Sequence, residues 1–336
     1  MFVVSGGILL SRVLGLVRDV TFARQWGTGT AFAAFVIAFT IPNLLRALFG
    51  EGAFTAAFVP VFSEKLEKEG KEQAWSVAQR VISVLALVLT VAVVILSGVG
   101  AAGQFADKNE LAQLTFRLIP WLMPYALLIC LTGAFAGVLN SLQHFALPAF
   151  TPIIFNLVLI GASVLVCPLW GGPPQHRILA LALAVLLAGL MQLGAQIAGC
   201  RRVGLRFRFE PDWRAPVVRR VALLMAPVLV GTGVAQLNVT VDRFLAGCLG
   251  SAATSSLYYS QRLVYLPVGL FGVAMAVVCL PAMSRAWAKE DVEEMQGSLR
   301  YALRHVLFLS VPVAALLGLA AVPVVRLIFE RGSFNA

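Results

Sequence analysis

Acidic residues are scarce in this chain, and so is charge of either sign. Its 336 residues hold 16 Asp and Glu against 26 Lys and Arg, so only 12% are charged, where a soluble domain carries about 25%. With 60% hydrophobic residues and a mean hydropathy of +0.88, a water-soluble globule is excluded and an all-α polytopic membrane protein is what remains. Histidine is nearly missing: His144, His176 and His305 lie far apart near expected helix ends, which leaves no catalytic or metal-ligating set. The five cysteines, Cys130, Cys167, Cys200, Cys248 and Cys279, stand singly in or beside apolar runs. Without CxxC or Cys/His spacing they read as small buried hydrophobes, not as a metal or redox centre. No P-loop, GxSxG or HExxH occurs, so ATP-driven and hydrolytic chemistry lack their signatures. The reading is a protein that is not an enzyme and holds no cofactor. Transport by it would draw on an ion gradient, sodium being one candidate, or on the membrane potential. The Met1 end lacks a basic n-region and a small-residue cleavage site, so it is read as the first membrane helix.

Long apolar runs are what the chain has in abundance. Stretches of about 20 residues or more fall near 2–24, 30–50, 76–102, 115–139, 149–170, 178–199, 221–247, 254–282 and 303–328, which predicts about nine transmembrane helices. Pro42, Pro120, Pro124, Pro227, Pro267 and Pro312 fall inside these runs, either as kinks or as breaks that line a cavity. The net charge of +10 raises the question of nucleic acid, but the basic residues gather in alternate loops. Lys65, Lys68 and Lys71 follow the second run, seven arginines from Arg201 to Arg220 follow the sixth, and Arg285, Lys289 and Arg300 follow the eighth. That alternation is the mark of membrane orientation and predicts a cytoplasmic N-terminus. Residues 64–72 read as a solvated loop or helix extension. Leu205-Arg206-Phe207-Arg208-Phe209 alternates apolar and basic residues and is expected at the cytoplasmic surface, against anionic headgroups.

The chain also repeats itself at an offset of roughly 222 residues. Asp19 to Gly27 resembles Asp242 to Gly250, Pro42 and Leu48-Phe49-Gly50 echo Pro267 and Leu270-Phe271-Gly272, and Pro60-Val61-Phe62-Ser63 echoes Pro281-Ala282-Met283-Ser284. An even number of helices separates the copies, so the repeats are parallel. The expected organisation is a six-helix lobe over residues 1–200, a basic amphipathic linker over 201–220, and the first three helices of an incomplete second lobe over 221–336. On this reading the polypeptide is a fragment of a two-lobe architecture.

Arginines inside apolar helices carry the functional signal. A guanidinium near the bilayer centre costs about 2.5 kcal/mol or more and cannot be neutralised by deprotonation. Such a residue is expected to face a protein-lined cavity. Arg12 and Arg18 lie in the first run, six positions apart and therefore about 120° around a straight helix, with Gly15 as a place to bend and Asp19 to offset Arg18. Arg46 follows Pro42-Asn43 in the second run and precedes Gly50-Glu51-Gly52, where the glycines permit non-helical backbone; an Arg46–Glu51 structural pair is the simpler alternative. In the eighth run Tyr258, Arg262, Tyr265 and Gly269 share a face. In the seventh, Thr232, Gln236, Thr240 and Arg243 form a polar stripe, which can also serve only to bond a neighbouring helix. Asp242, an intramembrane carboxylate beside it, is the candidate for cation coupling. Arg12, Arg18, Arg46 and Arg262 together predict a cationic cavity, with Asp19, Asn43, Glu51 and Tyr258 in support. Guanidiniums bind phosphate oxygens bidentately, so a phosphate- or pyrophosphate-bearing substrate fits best.

Ser11-Arg12-x-x-Gly15-x-x-Arg18-Asp19, then Ile41-Pro42-Asn43-Leu44-x-Arg46-x-x-Phe49-x-Glu51-Gly52-Ala53-Phe54-x-x-Ala57-Phe58-Val59-Pro60, closely resembles the MurJ (MviN) lipid II flippase family. Gly137-Val138-Leu139-Asn140, Pro148-Ala149-Phe150-x-Pro152-x-x-x-Asn156, Tyr258-Tyr259-x-x-Arg262-Leu263 and Ile328-Phe329-Glu330-Arg331-Gly332 extend the likeness over nearly the whole chain. The resemblance implies two six-helix lobes plus two further helices, within the multidrug/oligosaccharidyl-lipid/polysaccharide exporter superfamily. It implies alternating access in a bacterial inner membrane, with lipid II, an undecaprenyl-pyrophosphate-linked disaccharide pentapeptide, held by the four arginines. It makes membrane lipids and the peptidoglycan synthesis machinery the expected partners, not nucleic acid, and lets Asp242 correspond to a carboxylate of a sodium site. The chain departs from the family pattern at Ala33 and Gln261, where many members are acidic, which makes this cavity more positive. Two alternatives belong to other classes: an exporter of another polyprenyl-linked glycan or amphipathic drug, and a truncated, non-transporting membrane protein that binds lipid II.

Overall fold

A computed structural model describes residues 2–105, 109–269, 273–330 and 332–334, and among them every regular element is helical. In lipid every backbone N–H and C=O must be satisfied within the protein, and apolar runs of this length meet that demand as helices. The elements are α1 (Phe2–Trp26), α2 (Thr30–Leu45), a π-helical turn (Arg46–Gly52), α3 (Ala53–Gly103), α4 (Glu110–Ser141) and α5 (Ala146–Gly161). After a second π-helical turn (Ala162–Val166) come a short α6 (Cys167–Leu169), α7 (Pro174–Arg202), α8 (Pro216–Leu249), α9 (Ser251–Pro267), α10 (Val273–Ala288), α11 (Val292–Leu319) and α12 (Ala321–Phe329). Over the described residues, each of the nine predicted spans is mostly helix. Among the described residues, six uninterrupted helical stretches are long and apolar enough to cross a membrane, the first of them Thr30–Gly103, which contains two of the predicted spans.

Within that stretch the chain changes direction at Gly70, whose φ of 82° and ψ of −178° suit a residue without a Cβ. Around this corner the 64–72 segment is helix, not loop. Lys68 Nζ donates to Glu64 at 3.0 Å, Lys65 pairs with Glu69, and Arg220 from the start of α8 reaches Glu64 at 2.8 Å. Most proline sites do not break their helices: α4 runs through Pro120 and Pro124, α8 through Pro227 and α11 through Pro312. The exception that bears on the site is Pro42, one turn before the π-helical segment at Arg46. The corresponding Leu270-Phe271-Gly272 lies outside the described residues.

The core is continuous through α1–α7 and is rich in aromatic side chains, with Phe22, Phe32, Phe54, Phe58 and Phe62 essentially inaccessible. Small residues let the helices approach closely. A Cβ on Gly133 of α4 would stand 2.1 Å from the Gly50 carbonyl oxygen, so the π-helical turn lies directly against α4. The 203–215 linker is pinned to α3 and α4: Leu205 is buried, Phe207 meets Phe135 of α4 edge-on at 5.4 Å, and on α3 Gln79 Nε2 donates to Arg206 O and Ser83 Oγ accepts from Glu210 N. α8 and α9 pack on α2 and α3, while α11 buries none of its described residues and packs on α10 and α12.

Candidate anion-binding cavity

Between α1, α2, α4, α5, α7 and α9 lies a cavity of about 810 Å³ whose lining includes Arg12, Arg18, Arg46 and Arg262. All four arginines expected from the sequence are therefore brought to one space. α1 is unbroken from Phe2 to Trp26, so the bend considered at Gly15 is not what unites Arg12 and Arg18. The cavity is wide enough, and the side chains long enough, to span the angle between them. Asp19 is the one carboxylate among the described lining residues, which leaves a net charge of about three positive.

Asp19 is the hub of the polar network. Only 2% exposed, its Oδ1 accepts from Arg18 Nη2 at 2.8 Å, from Arg18 Nε at 3.1 Å and from the Tyr258 hydroxyl at 2.8 Å. Its Oδ2 lies 3.0 Å from Arg262 Nε, and Arg262 Nη2 in turn donates to the Tyr258 hydroxyl at 3.2 Å. Arg18 spends its remaining direction on Asn156 Oδ1 of α5 at 3.0 Å, and Asn156 Nδ2 ties back to the Ser11 carbonyl. The Arg18 guanidinium also sits 5.7 Å from the Phe22 ring centre and 5.8 Å from that of Phe155, within cation–π range. Arg262 covers the Tyr258 ring at 5.0 Å. One buried carboxylate thus stabilises two guanidiniums from opposite ends of the chain.

Arg12 and Arg46 are placed differently. Arg46 Nε donates to Asn43 Oδ1 at 3.1 Å. Arg12 is exposed to the cavity, and among the described residues its guanidinium has no hydrogen-bond partner. Gly269 gives it room: a Cβ there would come within 3.0 Å of Arg12 Nη1. The Glu51 side chain lies outside the described residues. Asp242 is not in the cavity lining; it is exposed on α8, and among the described residues no group of three or more His, Cys, Asp and Glu could hold a metal ion. In the α8 stripe, the Thr232 and Thr240 hydroxyls bond within their own helix, and Arg243 Nη1 reaches Thr40 Oγ1 of α2 at 3.0 Å. That stripe ties α8 to α2 instead of lining the space.

Sequence reasoning overlooked the uncharged wall of the cavity, formed by Thr132 and Asn140 of α4, Thr151 and Asn156 of α5, and Gln192 and Gln196 of α7. Gln192 and Gln196 stand at i, i+4 in an otherwise apolar helix, a signal of the same kind as the α8 stripe. One end of the bundle is closed by aromatic packing. Tyr259 stacks on Phe32 at 5.3 Å and meets Phe329 and Phe334, while Ser333 N donates to the Arg24 carbonyl at 2.9 Å.

A bundle of membrane-length helices around a guanidinium-lined cavity defines a multi-pass membrane protein with a cationic cavity. The fold agrees with solved transporters: an inward-facing multidrug resistance MATE family transporter of the MOP superfamily superposes with a TM-score of 0.78 at 16% identity, over 97% of this chain and 73% of that one. An outward-facing one reaches 0.63. A solved lipid II flippase MurJ in an inward closed conformation reaches 0.84 at 26% identity, over 100% of this chain and 69% of that one. The family model described as "Lipid II flippase MurJ" matches residues 22–336. The probable lipid II flippase MurJ of Rhizobium tropici is 36% identical over 99% of this chain, and the lipid II flippase MurJ of Burkholderia cenocepacia is 36% identical over 100% of it. The chain belongs to the MurJ lipid II flippase family. It spans 63% and 66% of the length of those two relatives.

Proposed function

We propose that this chain forms the headgroup-binding part of a lipid II flippase of the bacterial inner membrane, carrying the lipid-linked peptidoglycan precursor from the inner to the outer leaflet. The observation that carries the reading is the convergence of Arg12, Arg18, Arg46 and Arg262 on one cavity with a single described carboxylate. Such a field favours a polyanion, and a pyrophosphate offers bidentate oxygen pairs to planar guanidiniums. At about 810 Å³ the cavity sits near the upper end of small-molecule sites, which run about 300–1,000 Å³. It therefore has space for a headgroup larger than the phosphates alone.

The mechanism follows from where the ties lie. Arg18 and Asp19 belong to α1, and Tyr258 and Arg262 to α9, the two helices that would lie in opposite lobes, 1–200 and 221–336. An anion bound to Arg18 and Arg262 competes with Asp19 for both guanidiniums, so loading weakens the α1–α9 contact at the aromatic-closed end. Rocking of the lobes would then open that end outward and the other end inward, with the N-terminus in the cytoplasm. Asp242, the one acidic residue of α8, is where coupling to sodium or to the membrane potential would act. In the complete protein, Arg46→Ala should abolish flipping while membrane insertion persists; normal flipping by that variant would overturn the role given to the arginines.

A further inference from the structure

The guanidiniums occupy only part of the cavity, and the α5–α7 wall has a chemistry of its own. Thr151 organises it. The Thr151 hydroxyl donates to the Leu147 carbonyl at 3.0 Å, so its oxygen is left to accept, and it accepts from Gln196 Nε2. The Thr151 carbonyl, which can only accept, takes Gln192 Nε2 at 3.0 Å. The Thr151 carbonyl requires the nitrogen of Gln192, and with the Thr151 proton given to Leu147 the hydroxyl takes the nitrogen of Gln196. Both carbonyl oxygens of the glutamines are then turned away from Thr151. Gln192 is 2% exposed and Gln196 0% exposed, both belong to the cavity wall, and among the described residues neither Oε1 has a hydrogen-bond partner. Buried acceptors without donors are rare in folded proteins and call for an explanation.

We infer that Gln192 and Gln196 form a neutral subsite that accepts hydrogen bonds from the hydroxyl and acetamido N–H groups of the sugar attached to the pyrophosphate. This rests on the reading of the arginines given above and extends it to the substrate's glycan. Three observations point to a sugar. Two bare acceptors call for donors, which a phosphate at neutral pH does not supply. The neighbouring wall residues Thr132 and Asn140 are uncharged and able to bond hydroxyls in either sense. Thr151 lies five residues before Asn156, the partner of Arg18, which is about 7.5 Å along the helix axis. A group bonded directly to the phosphates would span that gap. Both oxygens are buried, so engagement requires the glutamine side chains to rotate toward the ligand, exchanging their bonds to Thr151 for bonds to the ligand.

The test measures binding of three lipids to the complete protein in nanodiscs: a bare polyprenyl pyrophosphate, the same lipid carrying an N-acetylated disaccharide, and the disaccharide lipid carrying a peptide. The Gln192→Met, Gln196→Met double variant keeps side-chain length and removes both acceptors. It should weaken binding of both glycan-bearing lipids about ten-fold, as two neutral hydrogen bonds warrant, and leave the bare lipid unchanged. Equal losses on all three lipids, or no loss on the glycan lipids, overturn the subsite, and a loss confined to the peptide-bearing lipid reassigns it to peptide and overturns the sugar. Should the variant fail to fold, the unmutated protein decides the matter: the disaccharide lipid must bind about ten-fold more tightly than the bare one, and equal affinity overturns the inference. Absence of any affinity for the bare lipid is a separate result, which overturns the pyrophosphate reading of the arginines instead.

Discussion

The Asp19 carboxylate stands 3.0 Å from Arg262 Nε, joining α1 to α9 through a pair whose acidic member is almost fully buried. Arg18 occupies the other side of the same carboxylate. Removing one partner of a buried ion pair costs about 3–5 kcal/mol, because the charge left behind is uncompensated. Half the Arg262 side chain is in contact with the open cavity, so the lower figure applies here. Asp19→Asn should therefore lower the thermal midpoint of the detergent-solubilised protein by several degrees and loosen the α1–α9 contact. A midpoint equal to that of the unmutated protein would show that the carboxylate does not hold the two helices.

Arg12 separates binding from folding. Its guanidinium has no hydrogen-bond partner among the described residues, so Arg12→Ala should leave the folding stability within about 0.5 kcal/mol of its original value, as expected for a site without buried partners. Affinity for a polyprenyl pyrophosphate should nonetheless fall about ten-fold or more, the value of a charge-assisted hydrogen bond. Arg12→Lys should restore only part of it, since an ammonium cannot bind two oxygens in a planar fork. Equilibrium binding by the three proteins checks the order.

Two glycines on α4 make a matched pair. A Cβ at Gly133 would lie 2.1 Å from the Gly50 carbonyl oxygen, whereas one at Gly137 meets nothing nearer than 3.6 Å. Gly133→Ala must push the π-helical turn, and Arg46 with it, away from α4; overpacking of this kind costs about 1–3 kcal/mol or more. Gly137→Ala should be nearly neutral. Comparing folded yield and thermal midpoint of the two variants tests the contact directly, and equal behaviour would contradict it.

At the solvated corner of α3, the Glu64 carboxyl is held below the usual carboxylate range by hydrogen bonds from Lys68 and Arg220 and by their charges. A carboxylate with a lowered folded-state pKa stabilises above its unfolded-state value, near 4.3, and that contribution is lost as pH falls through the lowered value. Hydrogen exchange in the 203–220 segment should accordingly be flat in its protection between pH 8 and 5 and lose protection only in stronger acid. Glu64→Gln should remove that acid-dependent step.

Much of the architecture was legible in the sequence. Nine apolar runs became helices because a lipid-facing backbone has no other way to satisfy its hydrogen bonds. Arg12, Arg18, Arg46 and Arg262 were legible as a cavity set because a buried guanidinium has no cheap place in a membrane. The subtler cavity residues were not. Gln192, Gln196 and Thr151 are uncharged, and their chemistry appears only when α7 is laid against α5. Hydropathy likewise left open whether α4 and α11 would run through their prolines and whether 64–72 would be loop or helix extension, since neighbouring packing decides whether a helix tolerates such residues.

By itself the sequence determined that this is a multi-pass membrane protein, where its helices lie and which cations must be sheltered from lipid, because these follow from local transfer energies summed along the chain. Only the tertiary structure decided that Asp19 is shared by Arg18 and Arg262, that Gly50 touches Gly133, that two glutamine oxygens are left without donors, and that Asp242 stands outside the cavity. Those outcomes depend on which helix faces meet, and close packing between residues far apart in the chain sets that.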